Sequence, residues 1–384
     1  MIRRNGLIHR AVKELAKNLV IKNVNKTNYK KMCLLIYITK PFVLKGHDIR
    51  HTNYYEAKAI VNVFEQMGYN VDIVFLSSEK AIDYYKYDVI IGLGDAYDNS
   101  FGKCKPQCTR IYYATGAHYL VACNEELARW RDLYKRKTCS LGKLRTPMPR
   151  KPLRREFSIM NSKAIVGVGG PWAAQTYQES GLKYYDVGAI AFELPLKIER
   201  KYNMAKKNFL FLSGDGFVHK GVDLFVEVFA NIPDCNLYIA GTADQTFLSI
   251  YRSELNLSNI HYVGFTEIYS NEFKELCQKC AFIVSASCSE GCSTSILTGM
   301  ASGLIPIVTE REGVRIKDSG VVIPEASITE IEKAVLSLSQ KSNSELLTMS
   351  NQAIEVVKNQ YTYDNFRKRL FNAVSEILGE NAVC

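Results

Sequence analysis

The sequence contains no apolar run approaching the eighteen or more residues that a membrane-spanning helix needs. Its amino-terminal segment carries a charge every few residues and no continuous apolar core, so it does not read as a secretory signal. There is no internal repeat and no low-complexity tract. Cysteine is thinly spread, eleven in 384 residues, and without an export signal these are expected to be reduced thiols in a cytoplasmic protein. With 23% charged and 47% hydrophobic residues, the composition excludes a disordered, collagenous or fibrous chain. The length fits two to three domains of about 150 residues.

Positive charge is present in excess but unevenly. Against 39 acidic side chains there are 49 basic ones, a net +10. Residues 1–31 hold nine basic groups against Glu14 alone, and residues 129–155 hold eleven against Asp132 alone. The remainder is therefore acidic, with a net −8. Two basic segments on an acidic body predict an anionic surface or ligand opposite those segments. In the first, Leu7, Ile8, Ala11, Val12, Leu15, Ala16, Leu19 and Val20 recur as one helical stripe, with the basic residues off it. Such a helix over residues 1–21 either packs on the domain or lies in an anionic membrane interface, with 129–155 as a second contact. The second segment includes a proline-containing stretch, 138–152, expected to be an exposed loop. It has Trp130 and Tyr134 but no recognisable nucleic-acid module, so nucleic acid is not an expected partner.

Apolar runs alternate with helical patterns along the rest of the chain. Strands are predicted at 32–39, 71–76, 88–91, 111–114 and 164–168, with a helix over 53–67. The pattern breaks around 191–207, read as a linker, and restarts. Strands are predicted at 209–213, 236–240, 260–263, 282–286 and 305–309, with helices at 222–230, 247–255, 272–280 and 294–301. Two helical patterns, 344–359 and 365–377, close the chain. The organisation is a basic segment 1–31, a domain 32–190, a linker 191–207, a domain 208–360 and a final helix in 361–384. Strands alternating with helices imply α/β architecture: two tandem doubly wound, Rossmann-like domains with an interdomain cleft at the carboxyl ends of two sheets.

Two motifs lie in the second domain. In Phe209–Gly221 a strand runs into a glycine loop. Gly214 and Gly216 let the backbone approach a ligand, and Lys220 before a helix favours an anion such as phosphate, although turn geometry alone also explains such glycines. In Ser285–Thr309 a strand ends in Glu290-Gly291, and Cys292–Ser295 open a helix whose free amides point into the cleft. Glu290 is placed to accept hydrogen bonds from sugar hydroxyls, and Ser293 is a candidate N-cap.

Taken in order and spacing, Lys220-Gly221, Leu237–Gly241, Val263-Gly264, the serine-glutamate-glycine turn and Met300–Gly303 resemble the second domain of retaining glycosyltransferases of family four. The likeness is clearest over 209–322. It implies the GT-B architecture, no metal and no cofactor for catalysis, and a nucleotide-sugar donor with a glycan or lipid-linked acceptor. It further implies Lys220 on the donor diphosphate, Glu290 on the donor sugar, and Gly291, Cys292 and Ser293 around the leaving phosphate. His118, after the predicted strand 111–114, matches the family's histidine near the reacting carbon. A structural hydrogen bond is the alternative for it. Two positions depart from the pattern: the second glutamate, eight residues on, is Thr298, and the arginine five places before the lysine is Asp215. Arg311 or Arg315 are the candidates to restore that charge.

On the acceptor side, the loop before the helix at 53 offers His47, His51, Asn53 and Glu56, with helix capping as the alternative for Asn53. Metal is not expected there, nor at Cys277/Cys280 or Cys288/Cys292. Gly167–Gly170 resembles a dinucleotide turn, but Pro171 and the lack of an acidic partner argue against it. The expected function is sugar transfer with retention, in surface polysaccharide or glycolipid synthesis at the inner membrane face. A catalytically degenerate nucleotide- or glycan-binding protein, motivated by Asp215 and Thr298, or a sugar-nucleotide epimerase are the alternatives.

Overall fold

The computed structural model describes residues 19–43, 51–146, 148–194 and 198–380. Its first domain is built on a seven-stranded sheet: β1 (Val20–Ile21), β2 (Lys31–Tyr37), β3 (Tyr69–Phe75), β4 (Val89–Gly92), β5 (Thr109–Ala114), β6 (Ala164–Gly167) and β7 (Tyr184–Asp186). Their spatial order is β1-β3-β2-β4-β5-β6-β7. All pairings are parallel except β1, which runs antiparallel to β3 at the edge. The second domain holds six parallel strands: β8 (Asn208–Leu212), β9 (Asn236–Ala240), β10 (Ile260–Gly264), β11 (Phe282–Ser285), β12 (Ile305–Thr309) and β13 (Val321–Ile323), ordered β10-β9-β8-β11-β12-β13. Central strands such as β8, Asn-Phe-Leu-Phe-Leu, and β11, Phe-Ile-Val-Ser, read as continuous apolar runs because both faces are covered by helices.

Each sheet reverses its order once, between β2 and β4 in the first domain and between β8 and β11 in the second. At such a switch point the loops diverge to opposite faces and leave a crevice outside the carboxyl ends. The two crevices face each other across the cleft.

Several helices escape the sequence reading, and one of them governs the assembly. Helix Tyr119–Lys137 buries Ala122, Cys123, Glu126, Arg129, Trp130 and Leu133. Two charged residues sit in that stripe, which hides its periodicity. Trp130 and Leu133 join the hydrophobic cluster of the second domain, beside Phe209, Phe217 and Phe225. The helix is thus an arm of the first domain inserted against the second. The chain also returns in the other direction. The last helix, Tyr363–Leu378, packs on helix Asn53–Gln66, where Asn62 Nδ2 donates to Tyr363 Oη at 2.8 Å. Lys183 pairs with Glu376 at 2.5 Å.

Much of the charge of 129–155 meets partners within the molecule. Arg129 donates to the Ala286 carbonyl at 2.8 Å, Arg136 pairs with Asp223 and Glu227, and Lys137 pairs with Glu254. Arg145 pairs with Glu290, Arg150 with Glu79 and Arg155 with Asp98, while Arg154 donates to the Asp98 carbonyl. Seven of the eleven basic residues thus have partners within the chain, although the Arg150–Glu79 pair lies in the open at 79% and 82% exposure. The helical stripe of residues 1–21 falls almost wholly outside the described residues. Among the described residues no helix is long and apolar enough to cross a membrane.

Candidate active site in the interdomain cleft

A cavity of about 610 Å³ lies between the two switch points and draws its lining from both domains. From the second domain come the loop after β8 (Ser213, Gly214, Asp215), Lys220, Glu290 and the start of helix Thr294–Ala301. From the first come Tyr37, His51, Asn53, Glu56, Thr115 and Arg145. A cavity of this size at paired switch points suits a drug-sized polar ligand.

The glycine loop takes its shape from one position above all. Gly216 has φ +73° and turns the chain so that the Lys220 amide donates to the Gly216 carbonyl at 2.9 Å. Lys220, with its side chain 9% exposed, is ion-paired to Glu290. Burial alone would raise the Glu290 carboxyl, but Lys220, His219 and Arg145 around it hold it well below the usual carboxylate range. Arg145 Nη1 reaches the same Glu290 oxygen at 2.9 Å, and its Nε lies 3.5 Å from Asp215. Lys220 and Glu290, the two sequence-predicted residues, are therefore brought together.

At the neighbouring turn the amides are partly committed. Glu290 N–H donates to the Arg311 carbonyl at 3.1 Å and Ser293 N–H to the Glu312 carbonyl at 2.9 Å. Gly291, Cys292, Thr294 and Ser295 line the cavity. Ser293 occupies the N-cap position, but its hydroxyl pairs with Ser295 Oγ at 3.1 Å and caps no amide. Burial pushes the Cys292 thiol up, so it behaves as a small neutral side chain. Thr298 faces the cavity from the helix, and its hydroxyl donates to the Thr294 carbonyl at 2.7 Å. Among the described residues no group of three His, Cys, Asp or Glu could hold a metal.

His118 is not brought into this site. It sits at the N-cap of helix Tyr119–Lys137, with Nε2 3.0 Å from Glu156 and its ring edge-on to Tyr177, and it does not line the cavity. The residue that reaches the cleft from that strand end is Thr115. The histidine that does line the cavity is His51, whose Nδ1 accepts the Asn53 N–H at 3.1 Å and whose pKa is lowered by desolvation. With Nδ1 engaged, the neutral ring keeps its proton on Nε2. Asn53 is not the helix cap, since Thr52 holds that position; its Oδ1 is buried without a hydrogen-bond partner. Glu56 accepts from Tyr37 and Tyr113 at 3.0 and 2.9 Å, and burial raises its pKa. His47 lies outside the described residues.

Arg311 and Arg315 do not supply the missing charge. Arg311 pairs with Glu125 at 2.6 Å and Arg315 with Asp186 at 2.5 Å. Sequence reasoning missed Arg145, His219 and Glu126 here; His219 adjoins Lys220, and only its neighbourhood could have flagged it. The glycines of 167–170 run from the end of β6 to the helix Pro171–Gln175. Gly167 packs against Tyr184 of its own domain, whereas across the seam a Cβ on Gly169 would fall 3.1 Å from the Gly291 carbonyl oxygen and one on Gly170 3.1 Å from that of Gly313.

The fold is GT-B, two Rossmann-like domains facing across a cleft. Residues 206–341, within the second domain, match the sequence model of the family described as glycosyl transferases group 1. Sucrose-phosphate synthase from Thermosynechococcus elongatus superposes with a TM-score of 0.62 at 11% identity, over 91% of this chain and 99% of that one. HepE from Anabaena, in complex with UDP and glucose, gives 0.58 at 12% identity, over 91% and 100%. A TarM mutant from S. aureus, in complex with fondaparinux, alpha-GlcNAc-glycerol and UDP, gives 0.54 at 11% identity, and the match spans 76% of this chain but only 56% of that one. A search of curated proteins returns no match to the sequence.

Proposed function

We propose that the protein is a glycosyltransferase that moves a sugar from a nucleotide-sugar donor to a glycan or lipid-linked acceptor, with retention of configuration. The observation that carries this reading is the pairing of Lys220 with Glu290 inside a cavity walled by both domains. The glycosyl transferases group 1 match over 206–341 and the UDP held by HepE and TarM support a nucleoside diphosphate as the leaving group.

Without donor, Lys220 is neutralised by Glu290. A diphosphate entering against Lys220 takes over that charge and frees the Glu290 carboxylate to accept hydrogen bonds from donor-sugar hydroxyls. As the bond between the anomeric carbon and the diphosphate oxygen breaks, the acceptor oxygen bonds the same face of that carbon. The acceptor's proton passes to the departing diphosphate. No protein base is needed, so the chain's contribution is orientation and charge stabilisation. His51 and Asn53 Oδ1 stand on the opposite wall, where an acceptor hydroxyl would be held.

Transfer from a panel of UDP-, GDP- and ADP-sugars tests the reading. Lys220→Ala and Glu290→Gln should each lower turnover by about 10²–10³. Wild-type turnover in either folded variant would remove it. A binding-only protein remains the competing reading because Thr298 spends its hydroxyl on its own helix. It predicts nucleotide binding with no donor consumed.

A further inference from the structure

We propose that Arg145, delivered by the first domain, is the second cation of the donor-diphosphate site, in the place that Asp215 leaves without positive charge. This rests on the nucleotide-sugar reading above and adds to it that the anion site is completed only across the domain boundary.

The side chain is built into the cavity. Its Nη1 reaches the Glu290 oxygen that Lys220 also holds, and its Nε lies 3.5 Å from Asp215. Its stem crosses the glycine loop so closely that a Cβ at Gly216 would fall 2.6 Å from Arg145 Cδ. The absence of a side chain at Gly216 is what admits the arginine.

The backbone that presents Arg145 is equally fixed. Glu126, 1% exposed, accepts the amide N–H groups of Arg145 at 2.5 Å and Thr146 at 2.9 Å. The Cys123 thiol donates to the Thr146 carbonyl at 3.0 Å, and Gly142 lies so close to Trp130 that a Cβ there would fall 2.5 Å from its ring. The stretch is the exposed loop that the sequence predicts, yet it is pinned at several points, with its arginine aimed at the cleft.

Two cations converge on one carboxylate oxygen, an arrangement whose natural guest is a more highly charged anion with several acceptor oxygens. A diphosphate offers both cations separate oxygens. It would displace Glu290 from Arg145 and Lys220 together, which couples anion capture to release of the carboxylate that faces the sugar.

The test is calorimetric titration of the full chain with UDP, and with GDP and ADP where UDP fails. Arg145→Ala and Lys220→Ala should each weaken binding about tenfold or more, and Arg145→Lys should retain part of the affinity. Adding Asp215→Arg to Arg145→Ala, which returns the charge from the other side of the cavity, should bring affinity back to within about threefold of the wild type. If Lys220→Ala loses affinity while Arg145→Ala stays within about twofold, Arg145 is not a diphosphate ligand although the donor reading survives. If Arg145→Ala binds weakly but Asp215→Arg restores nothing, Arg145 acts only on structure and the proposal is overturned. If the wild type binds none of the three nucleotides, or Lys220→Ala binds as the wild type does, the donor reading fails and this proposal with it.

Discussion

Glu126, on the arm of the first domain, faces His219 of the second across 3.4 Å, and both are buried. This pair stands directly behind the catalytic candidates, since His219 precedes Lys220 and Glu126 holds the backbone of Arg145. Burial alone would lower the histidine's pKa, but hydrogen bonds to Cys288, Glu126 and Glu290 push it up to about 11. A group raised in the folded state lends stability that is complete below its unfolded pKa of about 6.5 and drains away as pH rises through the folded value. Melting temperature should therefore fall between pH 7 and 10.5, and His219→Gln should flatten that fall. Parallel pH profiles for the two proteins, followed by scanning calorimetry, would assign the alkaline loss elsewhere.

Arg136 extends the same seam. It meets Asp223 at 2.5 Å, also contacts Glu227, and lies on helix Tyr119–Lys137, whereas both acids belong to the first helix of the second domain. The Asp223 carboxylate is fully buried. Removing the guanidinium takes away the cation that pairs with Asp223 and leaves only the charge of Arg129 near it, and Arg136→Met should cost up to about 3–5 kcal/mol in urea unfolding. Asp223→Asn added to Arg136→Met should recover a part of this. An Arg136→Met loss below about 1 kcal/mol would mean that solvent reaches the pair.

Where the domains touch near the cleft, they do so backbone to backbone. A Cβ at Gly291 would lie 2.5 Å from the Thr115 carbonyl oxygen of the first domain, and behind it Gly313 of its own domain, φ +66°, sits so close that a Cβ there would fall 1.7 Å from the Gly291 carbonyl oxygen. Gly313→Ala must shift the seam, and we expect donor turnover and melting temperature to drop together. Gly181, φ +68°, has open space around its missing Cβ, so Gly181→Ala bears only the left-handed strain of about 1–2 kcal/mol. Equal effects of the two substitutions would show that backbone conformation, and not the close approach, is what Gly313 serves.

A lipid-linked acceptor has one surface to recommend it. Helix Pro152–Met160 exposes Leu153, Phe157 and Met160 at intervals of four and three, beside Arg150 and Lys151, and buries Ser158 and Ile159 on its other face. Replacing those three apolar residues with Asn should reduce co-sedimentation with phosphatidylglycerol vesicles severalfold and leave donor hydrolysis intact. Unchanged co-sedimentation would sever this helix from any membrane role.

Much of the α/β alternation was legible because central parallel strands bury both faces and so appear as short apolar runs. Strand 236–240 and helix 294–301 coincide with the elements observed. The glycine loop, Lys220 and Glu290 were legible for a related reason, as a strand-to-helix junction at the carboxyl end of a sheet is a local feature. Helix Tyr119–Lys137 was not, because its inward stripe includes Glu126 and Arg129, and those charges are tolerable in a core only once the other domain supplies partners.

By itself, then, the sequence determined two doubly wound domains, the position of the anion-binding loop and a surplus of positive charge in residues 129–155. Only the tertiary structure decided where that charge goes. Charge is counted along the chain, but its consequence depends on distance and solvent, and Asp223, Glu290 and Asp98, which meet Arg136, Arg145 and Arg155, lie 57 to 145 positions away. The same long-range packing turned His118 toward Glu156, gave His51 the cleft and placed Arg145 beside Lys220.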